Sequence, residues 1–346
     1  MRKLLASLFL IITLGTTQGA YAGPFEDGWA ALSRGDYAAA LSLFRPLAAQ
    51  GNAKAQYNLG VMYERGQGVP QDYKEAVRLY GLAATQEHEC AQYNLGVMYR
   101  DGQGVPKDDK EALRLFGLAA AQGHKWAQFN LGVMYDIGQG VPQDYKEAVR
   151  LYRLAAAQGH AEAQYNLGGM YEAGQGVPQD YKEAVRLYGL AAAQGEAWAQ
   201  HNLGVMYENG TGVPQDYKEA VRLYRLAAAQ GLAEAQNNLG AMYERGRGVP
   251  QDYKEAVRWY RLAAAQGNAK AQNNLGVMHE RGQGVPQDYA RAYMWFNLSA
   301  ASSSGEDGKL AINNRNKAAA KMTSAQIEQA QEMARKCQAS NFKNCD

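Results

Sequence analysis

From residue 51 onward, apolar and polar positions alternate between two helical rhythms separated by one fixed punctuation. The stretch 161–172 reads A-E-A-Q-Y-N-L-G-G-M-Y-E, rich in helix formers and free of proline, and predicts a first helix, helix A. Gly174 and Gly176 stop it, because glycine enters the left-handed conformation without a side-chain clash. Val177-Pro178 must be extended, since the residue before proline avoids the helical region. Asp180 then opens helix B, with Glu183 placed to reach back in a capping box. Ala184, Leu187, Tyr188 and Ala191 recur at three- and four-residue steps and give helix B one apolar stripe, and Gly195 ends it.

This unit recurs every 36 residues, its proline falling at Pro70, Pro106, Pro142, Pro178, Pro214, Pro250 and Pro286. Each helix pair exposes an apolar face that only its neighbours can cover, so the period predicts a stack of helix pairs rather than one globular core. Seven units fill 51–302, and 23–50 supplies a shorter pair led by Phe25 and Trp29, without the Gly-x-Gly-Val-Pro insertion, read as an N-terminal cap. After Ser302 the pattern stops. A polar loop at 303–308 precedes two helices, about 309–321 and 324–336, the second opened by the box-like pair Thr323 and Gln326; 303–346 is thus a C-terminal cap.

The unit A-E-A-Q-x-x-L-G-x-M-Y-x-x-G-x-G-V-x-x-D-x-x-x-A-x-x-x-x-x-x-A-A-x-x-G resembles the Sel-1-like repeat, a relative of the tetratricopeptide repeat, over most of the chain. Met322-Thr323-x-x-Gln326-Ile327-x-x-Ala330-Gln331 is similar to the tail that closes many bacterial members. The resemblance implies an all-α, right-handed superhelix of seven repeats with a cap at each end, serving as an adaptor or scaffold in protein complexes. It does not imply a particular partner.

A residue repeated in seven copies reads as scaffold, so specificity is expected where the copies differ. In helix A the first variable column holds Lys54, Cys90, Trp126, Glu162, Trp198, Glu234 and Lys270, and the second holds Tyr57, Tyr93, Phe129, Tyr165, His201, Asn237 and Asn273. Two further columns run through Val61, Gly169 and Ala241, and through Arg65, Ile137, Arg245 and Arg281. These four positions fall within an arc of roughly 80° on a 3.6-residue helix. Stacked A helices should align that arc into a continuous groove, aromatic from Tyr57 to His201 and polar from Glu234 onward. Exposed rings with interspersed charge suit a protein or peptide partner. Trp126, Phe129 and Trp198 are the expected anchors, flanked by Tyr57, Tyr93, Tyr165 and His201.

Charge and motif excess argue against other classes. Residues 1–22 combine Met1-Arg2-Lys3, an apolar run from Leu4 to Leu14 and Ala20-Tyr21-Ala22, the pattern of a cleavable signal peptide. Such a leader predicts an exported protein, periplasmic or extracellular, with no membrane-spanning segment after it. The chain carries 36 basic and 34 acidic residues, and without Arg2 and Lys3 the counts are equal, so no basic excess points to nucleic acid. Cys337 and Cys345 lie where a turn after the last helix could join them, while Cys90 reads as a tolerated small residue. The acids ending helix A (Glu64, Glu172) and opening helix B (Asp72, Glu75) are evenly strung and read as caps, not as a converging catalytic pair. His88, His124 and His160 share one column and are expected as solvated turn residues, since neighbouring repeats are too far apart to share a metal. No cofactor or metal is expected. Two rivals stand beside the scaffold reading: an envelope enzyme acting on cell-wall material or β-lactams, and a secreted effector contacting host proteins. Cysteine-rich exported relatives linked to β-lactams carry a disulfide in each repeat, which this chain lacks.

Overall fold

The computed structural model describes residues 23–342 and Cys345. The signal peptide expected over 1–22 lies outside the described residues. All regular structure described is α-helical, and none of the described helices is long and apolar enough to cross a membrane. The chain divides into two compact units at His124 and Lys125. The first holds α1 (Pro24–Ser33), α2 (Tyr37–Ala49), α3 (Ala53–Arg65), α4 (Tyr73–Ala84), α5 (Glu89–Asp101) and α6 (Asp109–Ala121). The second begins with α7 (Lys125–Ile137), α8 (Tyr145–Ala157), α9 (Ala161–Ala173), α10 (Tyr181–Ala193), α11 (Ala197–Asn209) and α12 (Tyr217–Ala229). It continues through α13 (Ala233–Arg245), α14 (Tyr253–Ala264), α15 (Ala269–Arg281), α16 (Tyr289–Ser302), α17 (Gly305–Ala319) and α18 (Ser324–Ala339). Within each unit a helix packs on its neighbours in chain order, except that α16 carries both α17 and α18.

Local chemistry sets the helix ends. Gly174 caps α9 at φ 69°, in the left-handed region. The second glycine has a different task. At Gly176 an added Cβ would lie 2.3 Å from the carbonyl oxygen of Tyr145, so the loop can rest on the first turn of α8 only without a side chain. Asp180 caps α10, its Oδ1 accepting from the amides of Lys182 at 3.0 Å and Glu183 at 3.1 Å. The expected capping box does not form there. Glu183 turns outward to Arg186 at 2.7 Å, as Glu75 does to Arg78 at 2.6 Å, because an arginine three residues on offers a charged partner. Thr323 and Gln326 do make the full box at α18. The helix expected from about 309 begins at Gly305, where Glu306 and Asp307 favour a helical first turn.

Two hydrogen-bond series hold the stack, the first reaching back to the preceding pair and the second closing helix A on helix B within a pair. Gln164 is buried, and its Nε2 donates to the carbonyl of Ala156 at 3.1 Å, a second hydrogen bond on an oxygen that also accepts from the Gly159 amide at the end of α8. Its Oε1 accepts from Nε2 of Gln194 at 2.7 Å, and the same link joins Gln86 to Gln56, Gln230 to Gln200 and Gln266 to Gln236. The second series runs through the helix B tyrosine. The Tyr188 ring lies against Gly168, where a Cβ would come within 2.8 Å of it, and its hydroxyl donates to Glu172 at 2.6 Å. Tyr224 donates likewise to Glu208 and Tyr260 to Glu244, and Tyr80 donates to Glu64. The acids ending helix A are therefore acceptors for a buried phenol rather than caps. At the far end, Cys337 and Cys345 form a disulfide with Cα atoms 4.6 Å apart. Cys337 is wholly buried beside Trp295 and Leu298.

Candidate functional site

In the second unit the two main variable columns separate by burial. Trp126 and Trp198, both in the first column, are 43% and 42% exposed. The second column is half-buried at Phe129, Tyr165 and His201 and buried at Asn237. The arc is thus not uniformly released from packing. Its first column is exposed at Trp126, Glu162, Trp198 and Lys270, while its second packs against helix B of its own pair and, at Phe129 and His201, also against the following repeat.

His160 shows how. It caps α9, its Nδ1 accepting from the amide of Ala163 at 3.3 Å, and only 3% of it is exposed. Phe129 stacks on its ring at 4.6 Å, and Trp126 meets it edge to face at 4.1 Å. Burial pushes the His160 imidazole below its ordinary value. His88 and His160 are therefore N-caps stacked upon by the preceding A helix, not solvated turn residues. The signal was present in the sequence: Asn52 and Asn268, good N-cap residues, share their column.

The second indole rests on a different support. Trp198 meets His201 edge to face at 6.0 Å, and His201 lies 5.8 Å from Tyr224. His201 Nδ1 lies 3.0 Å from Oδ1 of Asn202, and its Nε2 lies 3.1 Å from Nδ2 of Asn238. Those partners suit a neutral imidazole protonated at Nδ1. Desolvation lowers its tendency to protonate. Tyr165 tilts against Tyr188 at 5.8 Å, and burial raises its phenol above the ordinary value.

The polar end of the face forms a cavity of about 340 Å³. Asn274 Nδ2 donates to Asn237 Oδ1 at 3.0 Å, Asn237 donates to Asn238, and Arg245 and Lys270 stand at the rim with Glu208 and Asp307. The asparagine column of Asn202, Asn238 and Asn274 was read as scaffold because it never varies, yet it lies on this face.

In the first unit, Tyr57 stacks on His88 at 4.8 Å and Tyr93 on His124 at 4.7 Å. Burial again raises the Tyr57 phenol and lowers His88. A second cavity, of about 420 Å³, opens beside Tyr57 and is walled by Phe25 and Trp29. Trp29 is 57% exposed, and the sequence reading missed it by treating 23–50 only as a cap. Among the described residues no cluster of three or more histidine, cysteine or acidic side chains could hold a metal.

A family model described as Sel1 repeat matches residues 23–52, 53–88, 91–124, 127–160, 161–196, 199–232, 233–268 and 269–304. The first match takes in the segment read as a shorter cap. No curated protein matches the chain. Among solved structures, a Sel1 repeat protein from Oxalobacter formigenes is 32% identical, covering 72% of this chain and 98% of its own, with a TM-score of 0.63. The protective antigen c5321, present in uropathogenic Escherichia coli strains and displaying an SLR fold, is 28% identical over 92% of each chain, with a TM-score of 0.35. Eight consecutive matches, seven of them on the 36-residue helix-pair unit, leave a single conclusion: the chain belongs to the Sel1 repeat family.

Proposed function

We propose that the protein is a non-enzymatic interaction scaffold, exported from the cell, that holds a peptide segment or helix of a protein partner on its A-helix face. A Sel1 repeat stack is typically a protein-interaction scaffold, and the finer reading rests on one observation. Trp126 and Trp198 keep more than two-fifths of their surface in solvent, although each is fixed in place by a neighbouring imidazole. A large ring that is both exposed and pre-ordered loses little conformational freedom on binding, which is the property of an interface anchor. Phe129, through His160, and His201 act beneath them as supports, while Tyr165, Tyr57 and Tyr93 flank the same face, packed on Tyr188, His88 and His124. The export reading draws on the charged, apolar and small-residue pattern of 1–22, and fractionating cells into periplasm and medium tests it.

The binding test is the Trp126→Ala/Trp198→Ala double variant. Its helical circular dichroism should match wild type, since neither indole belongs to the buried core. Affinity capture with wild type should return a partner that the variant loses. Equal capture by both proteins would remove this face from consideration.

A further inference from the structure

We infer that the cavity beside Tyr57 in the first unit is a receptor for an arginine side chain of a protein partner. It rests on the scaffold reading only in taking the chain to bind protein segments, and it uses none of the tryptophans of the second unit.

The cavity is walled by four neutral rings. Phe25 and Trp29 come from α1, Tyr57 from α3, and His88 from the cap of α5. His88 is held in the uncharged form by burial, and Tyr57 keeps its proton for the same reason, so neither ring brings charge to the wall at neutral pH. Trp29 is more than half exposed and lies outside the core cluster that α1 joins through Ala31 and Phe25. Its indole therefore serves no packing that the fold requires.

Two carboxylates, Glu26 and Glu89, line the same cavity, and neither makes a hydrogen bond or ion pair among the described residues. Against them stands one cation, Lys54, whose Nζ lies 5.9 Å from the Phe25 ring centroid. The chain's own ammonium thus already occupies the face of one of these rings, and it leaves one negative charge uncompensated. Aromatic faces with uncommitted carboxylates select an organic cation. Among such cations a guanidinium fits best: it is planar, it is weakly hydrated, it stacks on rings, and it offers a forked set of donors to carboxylates. Lysine lacks the plane and the fork. An incoming arginine would displace Lys54 from Phe25, which makes Lys54 a competitor and gives the proposal an unusual sign to test.

The test uses the full mature chain labelled with 5-fluorotryptophan, the Trp29 resonance being identified by its disappearance in Trp29→Phe. The probe is N-acetyl-arginine methylamide, with N-acetyl-citrulline methylamide as the neutral isostere. Arginine amide should shift the Trp29 resonance saturably, and citrulline amide should leave it in place. Lys54→Gln should tighten binding by about two- to fivefold, and Glu26→Gln/Glu89→Gln should weaken it about fivefold, the scale of partly exposed charge contacts. Because Lys54→Gln is expected to gain affinity, misfolding cannot imitate the result. The proposal is overturned by a silent Trp29 resonance, by equal shifts with citrulline amide, or by weaker binding in Lys54→Gln. Those outcomes leave the Trp126 and Trp198 surface untouched, and loss of that surface leaves this titration untouched.

Discussion

Replacing Gln194 by alanine should damage the stack out of proportion to the size and exposure of the group removed. Gln194 Nε2 is the donor to Gln164 Oε1, at 2.7 Å, and Gln164 is almost wholly buried. Without Gln194, that acceptor is left inside the protein with no partner. A buried acceptor stranded in this way costs roughly 1–3 kcal/mol, more than the bond's net contribution when made. The same link is naturally broken once. Gln272 is fully buried and its Oε1 has no partner, because the position that should supply the donor is Ser302. Ser302→Gln should therefore act in the opposite direction, but by less, since immobilising a long side chain opposes the gain by up to about 2 kcal/mol. A stack of repeats opens locally, so hydrogen exchange over α9 and α10 is a better measure than one melting temperature. Exchange in Gln194→Ala should accelerate roughly 5- to 150-fold over those helices, the equivalent of that energy range. A change below twofold, or faster exchange over α15 and α16 in Ser302→Gln, would refute the ladder as a source of stability.

Three other outcomes follow from buried polar contacts. Tyr188→Phe should cost roughly 1.5–3 kcal/mol, because the lost bond goes to a charged acceptor, and adding Glu172→Arg should recover part of that loss in a urea titration. His88, His160 and His201 are all held below the ordinary imidazole value of 6.5, so the folded protein binds fewer protons than the unfolded chain in mild acid. Their contribution is complete above pH 6.5 and declines as pH falls towards the folded values; His201→Asn should flatten that decline in pH-dependent melts. Cys345→Ser should loosen α18 by roughly 2–3 kcal/mol on the chain-entropy argument for so short a loop, seen as faster exchange over the last helix with the rest unchanged.

What could be read from the sequence was whatever is decided within a few residues. Gly174 ends α9 and Asp180 opens α10 because each acts on its own backbone, and the 36-residue period then repeats the decision. Glu183 was misread although it is equally local: a capping box and an i,i+3 pair compete for the same carboxylate, and Arg186 settles the competition. The Gln164–Gln194 link escaped notice because its partners stand 30 residues apart and both are uniform, which looks like scaffold with no stated reason. One deviation could have exposed it. Ser302 breaks the run of glutamines at 86, 122, 158, 194, 230 and 266, in a last helix B that still keeps the 36-residue register. The candidate face was found by its variability but not resolved into layers, since periodicity assigns a direction to a side chain and not the ring that covers it. His160 lies in a different column from Phe129, and only the turn between repeats brings the two together.

The same logic narrows where specificity can reside. Two of the seven 36-residue units depart from the tyrosine series, and they depart differently. Where helix B carries Phe116 in place of tyrosine, helix A carries Arg100 in place of glutamate, and that arginine turns to Asp101 at 2.7 Å. Loss of the buried donor coincides with loss of its acceptor, as expected if an unpaired interior carboxylate is costly. At Phe296 the ring also lacks a hydroxyl, yet Glu280 persists, half-buried like the glutamates that do accept from a phenol. Loss of the phenol is thus matched by loss of its acceptor in one repeat and not in the other. The second variable column is drawn partly into the same economy, through Phe129 on His160 and through His201 between Asn202 and Asn238. The first column carries little of that coupling: Lys54, Trp126, Glu162 and Trp198 change charge, size and shape from copy to copy, and all four side chains remain exposed. A family that diversifies by duplicating one unit can alter such a column one residue at a time without disturbing the stack. On the proposed scaffold reading, the outermost column is therefore where a partner would be told apart, and the rings beneath it would set how rigidly that column is presented.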